Sequence, residues 1–256
     1  KKNFSLKNLI YFKSNRLDKR FNLIDNNLHY NQFFVDFKTS IRPTLKVKLK
    51  KPNKRIIREI KNIKNNILII GGSSGIGNDL LKLVLNNKKI KIISTYNNNK
   101  IKIRKKNLKI LRVDVTENIK KIFKLIKRNA PLNIYYFATP IINTTLKNKF
   151  TYNLYYKYFV DIPLKLVKYS VKHKSNFFYP STIFINNKNQ SYYSLLKNLF
   201  EKRVKTIKKN KNSINILRIP RINTKHNLSM LNEKLPNFRE IILKNEEIRN
   251  FFLFNN

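Results

Sequence analysis

Four glycines occur in this chain of 256 residues, and all four fall within Gly71-Gly72-Ser73-Ser74-Gly75-Ile76-Gly77. In a chain so poor in glycine, such a cluster marks backbone that no Cβ-bearing residue can supply. An apolar run, Ile67 to Ile70, precedes it and a helical pattern follows. A corner of this kind gathers N–H groups at the start of a helix, and its chemistry is reception of a phosphate or diphosphate. Neither Lys-Ser nor Lys-Thr follows the last glycine, which excludes a P-loop. Other chemistries fall away on residue type. With no Cys there is no thiolate nucleophile, disulfide or thiolate metal site. His29, His173 and His226 are scattered, without the His/carboxylate spacing of a metal-binding helix, so no metal site is expected.

The elements that must position the corner are readable from Ile67 onward, where short apolar runs alternate with longer helical patterns. Strands are expected at Ile67–Ile70, Ile90–Thr95, Leu108–Val113, Asn133–Ala138, Asn176–Pro180 and Ile214–Ile219. Helices are expected at Ile76–Leu85, Glu117–Lys127, Tyr152–Lys172 and Ser191–Lys208, from apolar residues at three- and four-residue steps. Between the second and third strands only Tyr96–Asn107 remains, too short for a full helix. The fold class is therefore α/β: a Rossmann-type doubly wound parallel sheet with helices on both faces, over 67–256. Residues 1–49 read as a partial antiparallel β meander, with runs at Leu9–Phe12, Phe21–Ile24, Leu28–Phe37 and Thr44–Leu49 and its clearest turn at Asp25-Asn26-Asn27. Residues 50–66 read as a charged linker, helical from Ile56.

Fifty-six Lys and Arg against 13 Asp and Glu give a formal net charge of +43. A polyanion or nucleic-acid binder is thus one reading. The excess is spread along the whole chain, however, together with abundant Asn, Ile, Tyr and Phe, which points to a low-GC genome more than to a selected face. No apolar run approaches the ~18 residues of a membrane span, and the Lys-rich start lacks the core of a signal peptide, so a soluble cytoplasmic protein is expected.

The spacing Gly71-x-x-x-Gly75-x-Gly77 resembles the cofactor fingerprint of the short-chain dehydrogenase/reductase family, with Ile70 where that family usually has Thr. The resemblance runs on in order along the chain. Asp114-Val115 resembles the pair that holds the adenine ring. Tyr136-Phe137-Ala138-Thr139 stands in place of an Asn-Asn-Ala-Gly segment and keeps only Ala138. Ser181 matches the substrate-polarising serine, with Thr182 as its alternative, and Tyr193-Ser194-Leu195-Leu196-Lys197 matches the Tyr-x-x-x-Lys element. Pro220-Arg221-Ile222-Asn223-Thr224 stands for the Pro-Gly-x-x-Thr loop over the nicotinamide. Tyr96 and Lys100 form a second Tyr-x-x-x-Lys by accident of composition, in an Asn-rich loop. Tyr193 and Lys197 instead share one face of an expected helix.

The resemblance implies an NAD(P)-dependent oxidoreductase that reduces a carbonyl or oxidises the alcohol. Ser181, Tyr193 and Lys197 would be catalytic, the lysine lowering the phenol's pKa and binding the nicotinamide ribose. Asp161 falls where many members carry an Asn that supports the lysine, and would either pair with Lys197 or stand as a solvated helix residue. The cofactor is expected to lie against Gly71, Ser73, Ser74, Gly75, Ile76, Gly77, Asn97, Asp114, Val115, Ala138, Tyr193, Lys197, Pro220, Ile222 and Thr224. No carboxylate lies between Asp79 and Asp114, where a ribose 2′-hydroxyl partner belongs, and Lys100, Lys102 and Arg104 follow the second strand. NADP(H) is therefore favoured, with NAD(H) as the alternative. The segment Phe33 to Pro43 weakly resembles the end of a hot-dog-fold enoyl hydratase domain. That likeness implies a cut from a longer fusion, Lys1 not being Met, and an acyl thioester as substrate. Family habit implies a homo-oligomer. Phe251–Phe254 is expected to pack on the sheet or on a partner subunit. The departures at Asp161, Arg221 and Thr139 leave a nucleotide-binding protein with little catalysis as a further reading.

Overall fold

The computed structural model describes residues 11–18, 23–30, 32–40, 52–143, 146–186, 191–207, 214–222, 235–236 and 238–254. Its first elements are three antiparallel strands, β1 (Tyr11–Asp18), β2 (Leu23–Tyr30) and β3 (Phe33–Ser40), in the order β1-β2-β3. The expected turn at Asp25-Asn26-Asn27 is instead the middle of β2. Asn26 Nδ2 donates to Thr39 Oγ1 at 2.8 Å, and Asn27 Nδ2 to Asp36 Oδ1 at 2.7 Å. Cross-strand partners satisfy the amides that would otherwise favour a turn. The expected run Leu28–Phe37 is divided between β2 and β3, and Thr44–Leu49 lies outside the described residues.

The stretch read as a linker carries α1 (Lys54–Lys61), capped by Asn53, whose side chain accepts from the Ile56 N–H. Ile56, Ile60 and Ile63 are buried with residues of the large sheet, so α1 is part of its packing. That sheet is parallel and has six strands: β4 (Asn66–Ile70), β5 (Ile92–Tyr96), β6 (Leu108–Arg112), β7 (Leu132–Tyr136), β8 (Asn176–Thr182) and β9 (Ile214–Ile219). Their order is β6-β5-β4-β7-β8-β9. The chain leaves β4 toward one edge and returns to lie beside it as β7, and between these two strands a crevice opens at the carboxyl ends. No helix joins β5 to β6, as the short connection requires.

Strand alternation divides the core in two. Leu68, Ile70, Ile134, Tyr136, Phe177 and Tyr179 face one side, under α3 (Ile119–Asn129), α5 (Ile162–Lys172) and α6 (Tyr192–Ile207). Ile67, Ile69, Tyr135 and Phe178 face the other, under α1, α2 (Gly75–Val84), α7 (Phe238–Lys244) and α8 (Glu246–Leu253). Such two-sided burial is why these strands read as continuous apolar runs rather than alternating ones. The aromatic tail packs on the sheet as expected: Tyr135 donates its hydroxyl to the Phe252 carbonyl at 2.9 Å, with ring centroids 5.2 Å apart. Among the described residues no helix is long and apolar enough to cross a membrane.

The expected helix Tyr152–Lys172 is present but is not uniform. It runs as α4 (Lys149–Tyr156), a π-helical turn at Lys157–Asp161, and α5. Pro163 explains the irregularity. Lacking an N–H, it can donate neither to Phe159 in an α turn nor to Tyr158 in a π turn. Both carbonyls are satisfied from the sheet instead, by the Tyr179 hydroxyl at 2.9 Å and the Tyr136 hydroxyl at 2.8 Å. Two tyrosines of neighbouring strands thereby fix the rotation of this helix over the crevice.

Candidate active site

The glycine corner links β4 to α2. Gly71 has φ +88°, and a Cβ there would meet the Ala138 nitrogen at 2.7 Å. A Cβ on Gly77 would meet the Gly71 carbonyl oxygen at 2.2 Å, so helix and turn touch through bare backbone. Gly75, with φ +53°, differs: nothing lies within 4 Å of its Cβ position, which opens onto free space. Ser74 caps α2 in extended conformation with no side-chain hydrogen bond to the first turn. The corner thus has the conformation of an anion receptor with room in front of it.

That room is a cleft of about 840 Å³ running from Gly71, Ser73, Ser74, Gly75, Ile76 and Gly77 to Ser181, Tyr193 and Lys197. Asn97, Val115, Ala138, Pro220 and Ile222 also line it. Asp114 is set just behind: its carboxylate accepts from Asn97 Nδ2 at 2.7 Å and from the Thr116 hydroxyl and N–H at 2.6 and 2.8 Å. Burial pushes its pKa up, but these hydrogen bonds together outweigh burial and leave it below the ordinary value. Asp114 therefore positions Asn97 on the cleft wall. Thr224 lies outside the described residues.

At the far end, α6 aligns Tyr193 and Lys197, one turn apart, against β8. Lys197 is 4 % exposed. Its ammonium donates to the Pro180 carbonyl and lies 4.6, 5.2 and 5.3 Å from the ring centroids of Tyr179, Tyr193 and Phe159. Burial lowers its pKa from 10.5 to about 7, partly opposed by the Glu201 carboxylate. The expected lowering of the Tyr193 pKa is not what this geometry gives. Burial raises it to about 12, because the phenol loses water and, among the described residues, gains no hydrogen bond that favours phenolate.

Two further expectations need correction. Asp161 does not support Lys197; its carboxylate accepts from Lys165 at 2.8 Å, one turn along the helix. The wide turn at Lys157–Asp161 puts Tyr158 and Phe159 on the cleft instead, and the Phe159 ring meets Tyr193 edge-on at 5.2 Å. Ser181 is in place, but its hydroxyl donates to Glu201 Oε1 at 2.5 Å. The proton expected for a substrate carbonyl is thus committed to a carboxylate. Glu201, Arg218, Phe159 and Tyr158 were not anticipated as parts of the site. For Glu201 a signal existed, since it lies four residues after Lys197 on the same helical face.

No family model matches the sequence, and no curated protein sequence does. Solved structures do match. A short-chain dehydrogenase from Leptospira borgpetersenii with bound NAD+ aligns at TM-score 0.58 and 15 % identity, over 84 % of this chain and 92 % of that one. A short-chain dehydrogenase family protein from Francisella tularensis aligns at 0.55 and 20 %, over 63 % and 72 %. A short-chain dehydrogenase from Burkholderia cenocepacia in complex with NADP aligns at 0.52 and 11 %, over 64 % and 76 %. This chain has the short-chain dehydrogenase fold. In that fold the glycine corner, the Ser181 strand end and the Tyr193–Lys197 helix border one cleft, in the order in which the sequence presents them.

Proposed function

We propose that the protein is a nicotinamide-dependent oxidoreductase of the short-chain dehydrogenase type, interconverting a carbonyl and an alcohol, with NADP(H) as the favoured cofactor. The observation that carries this reading is one cleft that joins the start of α2, where the Ser74 side chain makes no capping hydrogen bond, to Tyr193 and Lys197. A dinucleotide fits it: the α2 N–H groups would hold the diphosphate, Asn97 and Val115 the adenosine end, and Lys197, Pro220 and Ile222 the nicotinamide end. When bound, the cofactor supplies or accepts hydride. Tyr193 moves the proton at the substrate oxygen, and Ser181 lies beside that oxygen with its own proton turned to Glu201. Ile141, Ile142 and Phe184 give the mouth an apolar lining suited to an acyl or other apolar chain, which agrees with a thioester substrate.

NADP(H) is favoured because β5 ends at Tyr96 and is followed by Asn97 with no carboxylate, and Lys100, Lys102 and Arg104 come next around a second hollow. The test is calorimetric binding of NADPH and NADH, followed by turnover on ketones and 3-oxoacyl thioesters. A second reading, nucleotide binding with little turnover, draws on the raised Tyr193 pKa and the engaged Ser181 proton. It predicts binding without NADPH consumption on any of these substrates.

A further inference from the structure

Ser181 lines the reacting end of the cleft with Glu201 behind it, and their hydrogen bond has a direction. Ser181 Oγ donates to Glu201 Oε1 at 2.5 Å. The Arg218 guanidinium grips the same carboxylate, Nε at 3.2 Å from each oxygen and Nη2 at 2.7 Å from Oε2. Ser181 and Glu201 are 2 % and 8 % exposed, so water does not compete freely for either. A serine hydroxyl has one proton and two lone pairs. With that proton held by a carboxylate, Oγ offers the cleft acceptance only.

We propose that Glu201, clamped by Arg218, is a positioning residue that holds Ser181 as a hydrogen-bond acceptor, so that the cleft takes the alcohol member of an alcohol–carbonyl pair in preference to the carbonyl. An alcohol oxygen suits the two groups beside it. Its O–H donates to Ser181 Oγ, and its lone pair accepts from the Tyr193 hydroxyl. Tyr193 is able to donate because burial keeps it protonated throughout the neutral range. A carbonyl oxygen accepts from Tyr193 equally well but turns lone pairs toward the lone pairs of Ser181. Relieving that contact requires the serine proton to leave Glu201, stranding one oxygen of a buried carboxylate.

The inference rests on the proposed oxidoreductase reading, and its test separates the two. The full chain is saturated with a tetrahydronicotinamide analogue of NADP, which transfers no hydride. It is then titrated by calorimetry with matched pairs, cyclohexanol against cyclohexanone and 3-hydroxyacyl against 3-oxoacyl thioesters. Wild type is expected to bind the alcohol about tenfold more tightly, the effect of one hydrogen bond made or opposed. In Glu201→Gln the Arg218 fork retains the amide oxygen and turns the amide N–H toward Ser181, which frees the serine proton for the cleft. The preference should then shrink or invert. In Ser181→Ala, which leaves the Glu201–Arg218 pair intact, it should fall to about one, with analogue binding retained. Wild type lacking an alcohol preference for every pair, or Glu201→Gln leaving the preference unchanged, overturns the inference while the nucleotide reading stands. A wild-type chain that does not bind the analogue overturns both.

Discussion

The two ends of the cleft are built by opposite means. At the glycine corner the cleft wall is main chain: side chains are missing where they would collide, as at Gly71, or where they would fill the space in front of α2, as at Gly75. At the Tyr193 end the wall is made of side chains whose properties depend on neighbours supplied by other elements. Lys197 takes its environment from Pro180, Tyr179 and Phe159, and Ser181 takes its proton's direction from Glu201. A backbone site tolerates little variation in sequence and little in behaviour. A side-chain site keeps its residue types while its acidities and proton positions drift with the packing around it.

That contrast yields experiments graded by size. Tyr193→Phe should lower turnover by roughly 10²–10⁴-fold, the usual weight of a positioned proton donor, with NADPH binding in calorimetry unchanged. Equal turnover in mutant and wild type would remove Tyr193 from the chemistry.

Lys197→Met addresses the buried amine through stability. Between about pH 7 and 10.5 the lysine is protonated in the unfolded chain and largely neutral in the folded one. The unfolded state then binds more protons, so stability should rise with pH across this window and level off below pH 7, where both states are charged. Thermal melts of wild type should show that rise. The methionine variant should be more stable near neutral pH by a few kcal/mol at most, and its profile flatter. An unchanged slope would show that the amine is not desolvated as described.

At the other end, Lys100→Glu should weaken NADPH about fivefold to tenfold while leaving NADH nearly unchanged, since a 2′-phosphate near a surface lysine is screened by solvent. Asp161→Asn should be the smallest change. An exposed i,i+4 pair contributes about 0.3–0.5 kcal/mol, so melting should shift by a degree or two and turnover should stay within about twofold. A large loss of activity would restore Asp161 to the site.

The unequal legibility of the molecule follows from the same contrast. The central strands β4 and β7 were readable because they are buried on both faces and almost wholly apolar, whereas the edge strand β6, with Lys109 and Arg112 exposed, was carried by its Leu and Ile residues. The corner was readable because glycine is replaceable nowhere along it without collision or loss of space. Helix rotation was not readable. The turn at Lys157–Asp161 arises from Pro163 acting together with the Tyr136 and Tyr179 hydroxyls of separate strands, a three-part arrangement that no local pattern displays. With it went the placement of Asp161 and the arrival of Phe159 beside Lys197. In the N-terminal sheet, local turn preference at Asp25-Asn26-Asn27 lost to partners on β3, which are equally invisible along the chain. Acidity was misjudged for a related reason: one helical turn between Tyr193 and Lys197 suggested charge coupling, but the depth of both groups decides their pKa values.

The most direct test is calorimetry of NADPH with wild type and Gly75→Ala. The added methyl has open space in front of it, so the fold should survive at a cost of about 1 kcal/mol from the left-handed torsion. The methyl would stand where the diphosphate must approach. Micromolar binding by wild type, weakened at least about 100-fold in a variant that still melts cooperatively, is the predicted result. Equal affinity in the two proteins would contradict a nucleotide seated on the main chain at the start of α2.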